Sequence, residues 1–393
     1  MKTIPSPLRW ETVSTAVFAA TLFFNPCTAL IDRKNLVSRF NPTRNASSLA
    51  TPMQVGNGNF AFGADVTGLQ TFQPFGILSS WGWKNDSFPP GVTQADIDAY
   101  HGVSWLNHGR PVEYDFGGGN PIEQWLISNP NRVNLGRVGL LFLDGTNGSA
   151  QSVMESDLRD VKQELDLWSG VISSSFTFDG EEVTVAVACA QETDAVGVTV
   201  SSTLVRQGRL GLFIDFPWND GSAKFSAPFV GNWSIPERHT SALTRSASKE
   251  ESSGQVQAEI LHKMDNATFY TAVAGSSFSV TRQSPAAHRY SIRPSSQLSS
   301  TFAVSFSFSA NSTMAGSQIE RISSPEEVVQ SSRAAWAEYW SNSGFVDVMT
   351  GSTDQRAEEL QRRIILSRYL MRVNEAGDTP PQESGLTNNG WYG

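Results

Sequence analysis

"GVISSSFTFDGEEVTVAVACAQ", from Gly170 to Gln191, consists of two arms of β-branched and aromatic residues around Asp179-Gly180. The Asp-Gly dipeptide favours the two-residue type I′ turn of a β-hairpin, and apolar and polar residues alternate along both arms. Segments of the same composition recur between Asn41 and Ala310, namely "RVGLLFLDG", "AVGVTVSSTLV", "RLGLFIDFPW", "ATFYTAVAG" and "STFAVSFSFSA". Many strands without intervening helices predict a mainly β fold, a large antiparallel sandwich.

The pattern becomes helical after the last of these strands, beginning with "SSPEEVVQSSRAAWAEYWSNSG". Ser324 is the expected N-cap and Pro325 occupies the first helical position. Val329, Trp336 and Trp340 share one face at helical spacing. The sequence therefore predicts a first helix that packs through these three residues.

A second helix is predicted from Asp354 to Val373. Its apolar positions are Leu360, Ile364, Leu370 and Val373, and it should end near Gly377. We expect it to dock on the sandwich through Ile364, Leu366 or Leu370 and to leave part of its apolar surface bare. Exposed apolar surface promotes association, so self-association through the helices is expected. On the same reasoning the sandwich should stay folded when residues 355–393 are removed.

The first 29 residues have the order of a secretory signal. Lys2 and Arg9 precede an apolar run, and the small residues Cys27 and Ala29 follow it. This order predicts cleavage after Ala29 and an extracellular protein without a membrane segment, although a short buried helix is the alternative.

Asn-x-Ser/Thr triplets occur six times after this signal. In a secreted chain such triplets predict N-glycosylation on surface loops. The acceptor positions are Asn45, Asn85, Asn147, Asn232, Asn266 and Asn311.

Cysteine and histidine usage argues against a metal or cofactor. Only Cys27 and Cys189 are present, so the processed chain would hold one thiol, which lies in an apolar strand and is expected to be buried and inert. The five histidines are dispersed without ligand spacing. With a net charge of -9 and no Lys/Arg cluster, nucleic acid is not an expected partner.

Four stretches resemble the six-hairpin glycosidases, in particular glycoside hydrolase families 65 and 95. They are "PMQVGNGNFAFGADVTG" from Pro52, "KQELDLWSGVISSSFTFDGEEVTVAVACAQETDAVGV" from Lys162, "LQRRIILSRYLM" from Leu360 and "PPQESGLTNNGWYG" from Pro380. The resemblance implies a β super-sandwich, a helical linker and the truncated start of an (α/α)6 catalytic barrel. The corresponding ranges are residues 1–29 for the signal peptide, 30–318 for the sandwich, 319–377 for the linker and 378–393 for the barrel.

The resemblance also implies that the catalytic carboxylates lie in the barrel, so no catalytic residue is identified here. Glu383 is the one carboxylate of the last loop that could substitute. Amides and aromatic rings suit sugar hydroxyls and pyranose faces. The candidate sugar-binding residues are therefore Trp81, Trp83, Asn388, Asn389, Trp391 and Tyr392.

Each of these candidates has a structural alternative. If the segment is extended, Trp81 and Trp83 share a face, and two such rings also serve domain-interface packing. Trp391 could equally fill core between helix and sandwich. The function that the resemblance implies is the non-catalytic N-terminal portion of a secreted, inverting glycoside hydrolase for α-linked sugars. A free-standing carbohydrate-binding or structural sandwich is the alternative.

Overall fold

The Gly170–Gln191 segment forms the predicted hairpin in the computed structural model of the chain. Its two strands, Val171–Phe178 and Glu181–Cys189, pair in register from Val171↔Ala188 to Phe178↔Glu181. Asp179 and Gly180 have φ angles of 50° and 79°, as a type I′ turn requires. The structure describes residues 31–115, 117–145, 148–223, 230–249, 255–312, 323–380 and 385–387.

Strands dominate these described residues, and six α-helices accompany them. In chain order the strands are β1 Thr43–Arg44, β2 Met53–Gly56, β3 Phe60–Ala64, β4 Ile77–Ser79, β5 Trp83–Lys84, β6 Val103–Asn107, β7 Arg110–Tyr114, β8 Asn131–Arg132, β9 Arg137–Phe142, β10 Arg159–Asp166, β11 Val171–Phe178, β12 Glu181–Cys189, β13 Ala195–Ser201, β14 Leu210–Asp215, β15 His239–Lys249, β16 Val256–Met264, β17 Ala267–Gly275, β18 Phe278–Arg282, β19 Arg289–Pro294 and β20 Thr301–Ser309. The helices are α1 Arg33–Ser38, α2 Gln94–Asp98, α3 Pro121–Ser128, α4 Thr203–Arg206, α5 Pro325–Asn342 and α6 Arg356–Glu375.

The expectation of strands without intervening helices is wrong for short stretches, since α2, α3 and α4 interrupt the β region. In the predicted strand "AVGVTVSSTLV", β13 ends at Ser201 and α4 begins at Thr203. The reason is local, because the Ser202 side chain accepts a hydrogen bond from the Leu204 amide and so caps a helical turn.

The strands form antiparallel sheets that enclose one continuous core, so the predicted β-sandwich is confirmed. One sheet has nine strands in the order β1-β10-β11-β12-β13-β20-β17-β16-β15, and smaller sheets have the orders β18-β19-β14-β9 and β2-β3-β4. Two-stranded pairs β5-β8 and β6-β7 complete the set within the described ranges. Ring contacts join the layers: Phe142 lies 4.6 Å from Phe178, and Phe60 lies 5.5 Å from Phe308, between ring centroids.

Helix α5 begins as the sequence predicts, with Ser324 and Glu327 forming a reciprocal capping box. Its buried face differs from the prediction by one residue. Val328, Ser332, Trp336 and Trp340 face inward, whereas Val329 is only half-buried. The physical reason is steric. Val328 packs directly against the backbone of Gly197, where a β-carbon would lie only 3.0 Å from the valine side chain.

Helix α6 docks through a stripe that the sequence did not indicate. Its buried residues are Gln361, Ile365, Tyr369 and Val373, spaced four apart. Of the predicted contacts, Val373 is buried and the half-buried Leu366 packs against the main core. Leu360 and Leu370 are 50% and 43% exposed, and Ile364 is half-buried.

Polar atoms within this stripe explain the error. The Tyr369 ring stacks on Trp336 at 4.4 Å and its hydroxyl donates to the Gln54 carbonyl at 2.9 Å. Gln361 accepts from the Val348 amide and donates to the Val346 carbonyl. Because backbone partners satisfy these polar groups, they can be buried beside aliphatic residues, which a search for aliphatic periodicity does not detect.

The helices belong to the same compact unit as the sheets, which runs from Arg33 onward. Ile365, Tyr369 and Val373 are each at most 1% exposed and belong to the main core. The expectation that the sandwich stays folded without residues 355–393 therefore does not fit this packing. Among the described residues, no helix has the length and apolar content needed to cross a membrane.

Candidate functional site

The Gly-Asn-Gly turn between β2 and β3 holds the end of α6. Asn57 Oδ1 accepts hydrogen bonds from the amides of Asn59 and Phe60, at 3.0 and 2.7 Å, which fixes the turn. The Gly58 amide then donates to the Val373 carbonyl at 3.1 Å. Gly58 has a φ of 95°, and a β-carbon there would lie 2.5 Å from the Ala376 backbone. Only glycine meets both requirements.

Asn59 extends this contact to the residues that follow the helix. Its side chain donates to the Asp378 carboxylate at 2.9 Å and accepts from the Asp378 amide at 2.9 Å. The Ser80 hydroxyl donates to the same Asn59 oxygen at 3.1 Å. This one amide therefore connects the turn, the loop before β5 and the exit of α6.

Asp194, in the loop between β12 and β13, is bound from two sides. Asn57 Nδ2 donates to one carboxylate oxygen at 3.0 Å, and the Trp81 indole donates to the other. Burial raises the pKa of Asp194, these two hydrogen bonds oppose the rise, and the nearby Asp378 charge adds to it. Because each oxygen accepts a hydrogen bond from the chain's own donors, Asp194 holds the Gly-Asn-Gly turn and the Trp81 loop together.

Further hydrogen bonds bring the other motif stretches to the same place. Gln191 donates to the Gly56 carbonyl at 3.0 Å, and Asn374 donates to the Gln54 side chain at 2.8 Å. The Thr387 amide and hydroxyl both donate to Asn374 Oδ1, at 3.1 and 3.0 Å. We call this contact set, comprising Gln54 to Asn59, Trp81, Gln191 to Asp194, Val373 to Asp378 and Thr387, the junction.

Trp81 and Trp83 do not present a common aromatic surface. Trp81 lies before β5 at the junction, with its ring 6.3 Å from that of Phe269. Trp83 donates to the Ser80 carbonyl at 2.6 Å, and the Arg132 guanidinium lies 4.3 Å from its ring centroid. The segment bends at Trp81, so the two half-buried rings have separate neighbours.

The loop that carries these tryptophans is anchored at its other end by a buried lysine. Lys84 has a fully buried side chain and pairs with Asp86 at 2.5 Å and with Asp265 at 2.8 Å. Its ammonium lies 4.7 Å from the Trp218 ring centroid. The loop is thereby fixed between Asp194 and Asp265, and no local sequence pattern indicates these contacts.

The remaining sugar-binding candidates, Asn388, Asn389, Trp391 and Tyr392, and the carboxylate Glu383 lie outside the described residues. Leu386 and Thr387 are 3% and 2% exposed. Five of the predicted glycosylation acceptors have exposed side chains, as glycan attachment requires: Asn45, Asn85, Asn232, Asn266 and Asn311. Asn147 lies outside the described ranges.

Three of the five histidines, dispersed in sequence, converge in space. His239 and His262 are joined by a hydrogen bond of 2.8 Å between ring nitrogens, and the His288 ring centroid lies 3.9 Å from that of His239. His288 Nε2 donates to the Pro236 carbonyl at 2.7 Å, so its Nδ1 accepts from Ser241. Within the described part of the chain no group of His, Cys, Asp and Glu has the geometry of a metal site.

This histidine cluster is buried and uncharged. Burial lowers the pKa of His239 to about 3 and the pKa of His262 well below its usual value, and burial lowers that of His288 as well. Cys189 is fully buried, as predicted, and burial raises the pKa of its thiol. Neither group is placed to act as a nucleophile or base on a solvent-accessible substrate.

No protein-family model matches the sequence, and no curated protein matches it. Solved structures similar to the chain include a putative kojibiose phosphorylase from the human microbiome, with a TM-score of 0.43 and 8% identity over 84% of this chain and 42% of that one. A bacterial glucoamylase complexed with acarbose has a TM-score of 0.41 and 10% identity over 85% and 42%. A family GH92 α-mannosidase from Bacteroides thetaiotaomicron has a TM-score of 0.30 and 8% identity over 87% and 41%.

The chain spans about two fifths of the length of each of these structures. Every TM-score is below 0.5 and every identity below 25%, so the fold is established from the chain's own sheet topology.

Proposed function

We propose that this chain is the N-terminal, non-catalytic part of a secreted glycoside hydrolase of the six-hairpin type. The complete enzyme would cleave α-linked sugars with inversion of the anomeric centre. In this role the sandwich and its two helices position a following catalytic barrel, and the junction is the structural element that sets where the barrel begins.

The observation that carries the proposal is the junction itself. The four stretches that resemble the family were identified by sequence alone and lie far apart along the chain. In the structure the Pro52 stretch is hydrogen-bonded to the Lys162 stretch by Asn57 to Asp194 and to the Leu360 stretch by Tyr369 to the Gln54 carbonyl. Asn374, just after the Leu360 stretch, bonds to the Gln54 side chain and to Thr387 of the last stretch. A mutual contact set of this kind supports reading the four motifs as one functional unit.

The chemistry of the described carboxylates supports a non-catalytic role. An inverting glycosidase holds two carboxyl groups about 6.5–9.5 Å apart, so that a water fits beside the sugar. Asp194 has a raised pKa, and its carboxylate accepts hydrogen bonds from Asn57 and Trp81 within the junction. As the resemblance implies, we assign the catalytic pair to the barrel.

Sugar contact is proposed for the loop that follows the junction. Thr387 is bound to Asn374, and Asn388, Asn389, Trp391 and Tyr392 follow it directly in sequence. Trp81 would contribute from the junction side. Amides and aromatic rings at this position suit the hydroxyls and the apolar face of a pyranose.

The experiment is to express the chain together with the coding sequence downstream of Gly393 and to follow cleavage of α-linked disaccharides and fucosides by proton NMR. We expect turnover in which the first product observed is the β-anomer. A first product of α-configuration would contradict inversion, and an inactive extended protein would contradict the hydrolase assignment.

A free-standing carbohydrate-binding protein is the second outcome of this test. It would be supported if the chain alone bound an oligosaccharide in calorimetry while no extended form turned it over. Trp391→Ala, compared with the exposed Trp105→Ala as a control, would then report whether the terminal loop is the binding site.

A further inference from the structure

A groove of about 770 Å³ lies on the outer face of the nine-stranded sheet. Its volume falls within the range of about 300–1,000 Å³ typical of small-molecule sites. Serine and threonine are the most frequent residues in its lining, and Arg44, Lys162 and Glu164 are its charged side chains. We call it the hydroxyl groove.

The strand register arranges these hydroxyls in a straight row. Lys162 pairs with Ser175, Ser175 with Thr184, and Thr184 with Ser201, on four neighbouring strands. Strands lie about 4.8 Å apart, so the row is about 14 Å long. Residues next to these along each strand, such as Phe176 and Val185, point into the core, which leaves the hydroxyl side to the outside.

Asn45 stands at the edge of the sheet where this row begins. Thr43 pairs with Glu164 and Arg44 with Gln163, and Asn45 follows directly after this edge strand. Asn45 is exposed and itself lines the hydroxyl groove. The acceptor amide of an Asn-Ala-Ser triplet therefore opens directly onto the row of hydroxyls.

We propose that the hydroxyl groove binds the chain's own N-linked glycan, attached at Asn45. This rests on the secretion that is part of the proposed function. In the secretory compartment the Asn45 amide nitrogen would lose a proton and bond to the anomeric carbon of an oligosaccharide, whose lipid-linked diphosphate carrier leaves. The attached sugars then extend over Ser175, Thr184 and Thr199, where hydroxyls donate and accept in pairs.

The surroundings of the groove fit an oligosaccharide better than an apolar partner. Val161 and Ala186 provide a small apolar floor between the hydroxyls. On the same face of the sheet the region around Gly197 is already covered by α5. One part of the outer face of the nine-stranded sheet is therefore covered by α5, and the hydroxyl groove is the part that stays open. The ligand proposed for it is polar and is attached to the chain at one end.

The test measures how fast an endoglycosidase removes each glycan from the native, secreted protein, with site-resolved peptide mass spectrometry. We expect the Asn45 glycan to be released at least about tenfold more slowly than the Asn311 glycan, which corresponds to about 1.4 kcal/mol of docking free energy. After denaturation the two rates should be equal. Asn311 is the comparison because it is exposed and lies outside the groove.

A variant that fills the groove provides the second arm. Thr184→Arg should raise the Asn45 release rate to that of Asn311, whereas Thr177→Arg, on the same face but outside the groove, should leave it slow. Equal native rates at the two sites in the unmodified sequence would overturn the inference. If Asn311 carries a glycan and Asn45 does not, the groove inference is wrong but secretion is still supported. A chain without any glycan would contradict both the groove inference and secretion.

Discussion

Protonation of the buried histidine cluster should make the fold sensitive to acid. His262 is completely buried, with its Nε2 2.8 Å from Nδ1 of His239. Burial holds the pKa of both rings below the value of about 6.5 that a histidine has in the unfolded chain. The unfolded state therefore binds more protons as the pH falls below about 6.5. The contribution to stability is complete above that pH and is lost progressively below it.

The size of the effect follows from the unfolded-state pKa alone when the folded ring stays neutral. When the pH falls from 7.5 to 5, one such histidine lowers the free energy of unfolding by about 2 kcal/mol. Asp65 titrates in the opposite sense, because burial raises its pKa to about 6. The pH dependence contributed by Asp65, and by every other group that the substitution does not affect, cancels when the wild type is compared with a single variant.

His262→Gln is the suitable variant, since a glutamine amide can occupy the position of Nε2 and keep a polar contact with His239. Urea unfolding at pH 7.5 and pH 5 gives the free energy of unfolding for each protein. We expect the wild type to lose about 2 kcal/mol more between these pH values than the variant does. His101→Gln, at an exposed position, should behave as the wild type.

Equal pH-dependent losses in the wild type and His262→Gln would refute this reasoning. They would mean that His262 is protonated in the folded protein or that the ring is exposed to water. A His101→Gln variant that also lost its acid sensitivity would point to a global charge effect and equally count against the cluster.

Three further predictions follow from the junction, the helices and the signal. Gly58→Ala should lower the stability of the fold by more than Gly91→Ala does, as measured by thermal unfolding. Both glycines have a positive φ, which costs alanine about 1–2 kcal/mol, but only a β-carbon at Gly58 would also meet neighbouring backbone. Equal losses of stability in the two variants would contradict the close approach at Gly58. Changing the exposed Leu370 and Met371 to lysine should reduce self-association in sedimentation velocity, and an unmodified chain that is monomeric at high concentration would rule out this surface. The secreted protein should begin at Leu30 in intact-mass analysis, and a retained Met1 would contradict signal cleavage.

Local signals predicted the parts of the fold that depend on neighbours in sequence. The Asp179-Gly180 turn and the Ser324 capping box each involve residues within a few positions, and both are present in the structure. Cys189 was placed correctly because an apolar strand determines its burial. These elements need no tertiary information.

The face of α6 could not be predicted in the same way. Its buried stripe includes Gln361 and Tyr369, whose polar atoms are satisfied by the backbone at Val346 and Gln54. Aliphatic periodicity instead selected Leu360, which the fold leaves half exposed. Which polar residues can be buried depends on partners that only the folded chain supplies.

The histidine cluster and the junction show the same limit at longer range. His239 and His262 meet because of the register between β15 and β16, in which Ser241 stands opposite His262. His288 comes from the loop between β18 and β19. The sequence shows the junction motifs as separate strings, but the bonds from Asn57 to Asp194 and from Asn59 to Asp378 join residues 137 and 319 positions apart. The spacing of residues along the sequence does not indicate such contacts.

The central claim, that this chain is the non-catalytic part of a glycoside hydrolase, is tested most directly by incubating the purified 393-residue chain with trehalose, maltose and an α-fucoside and measuring the released monosaccharide. The account predicts no release above the rate of a heat-denatured control, because the catalytic carboxylates are assigned to the barrel. Sustained release that disappears in Glu383→Gln and persists in the control Glu375→Gln would contradict it and make the terminal loop catalytic.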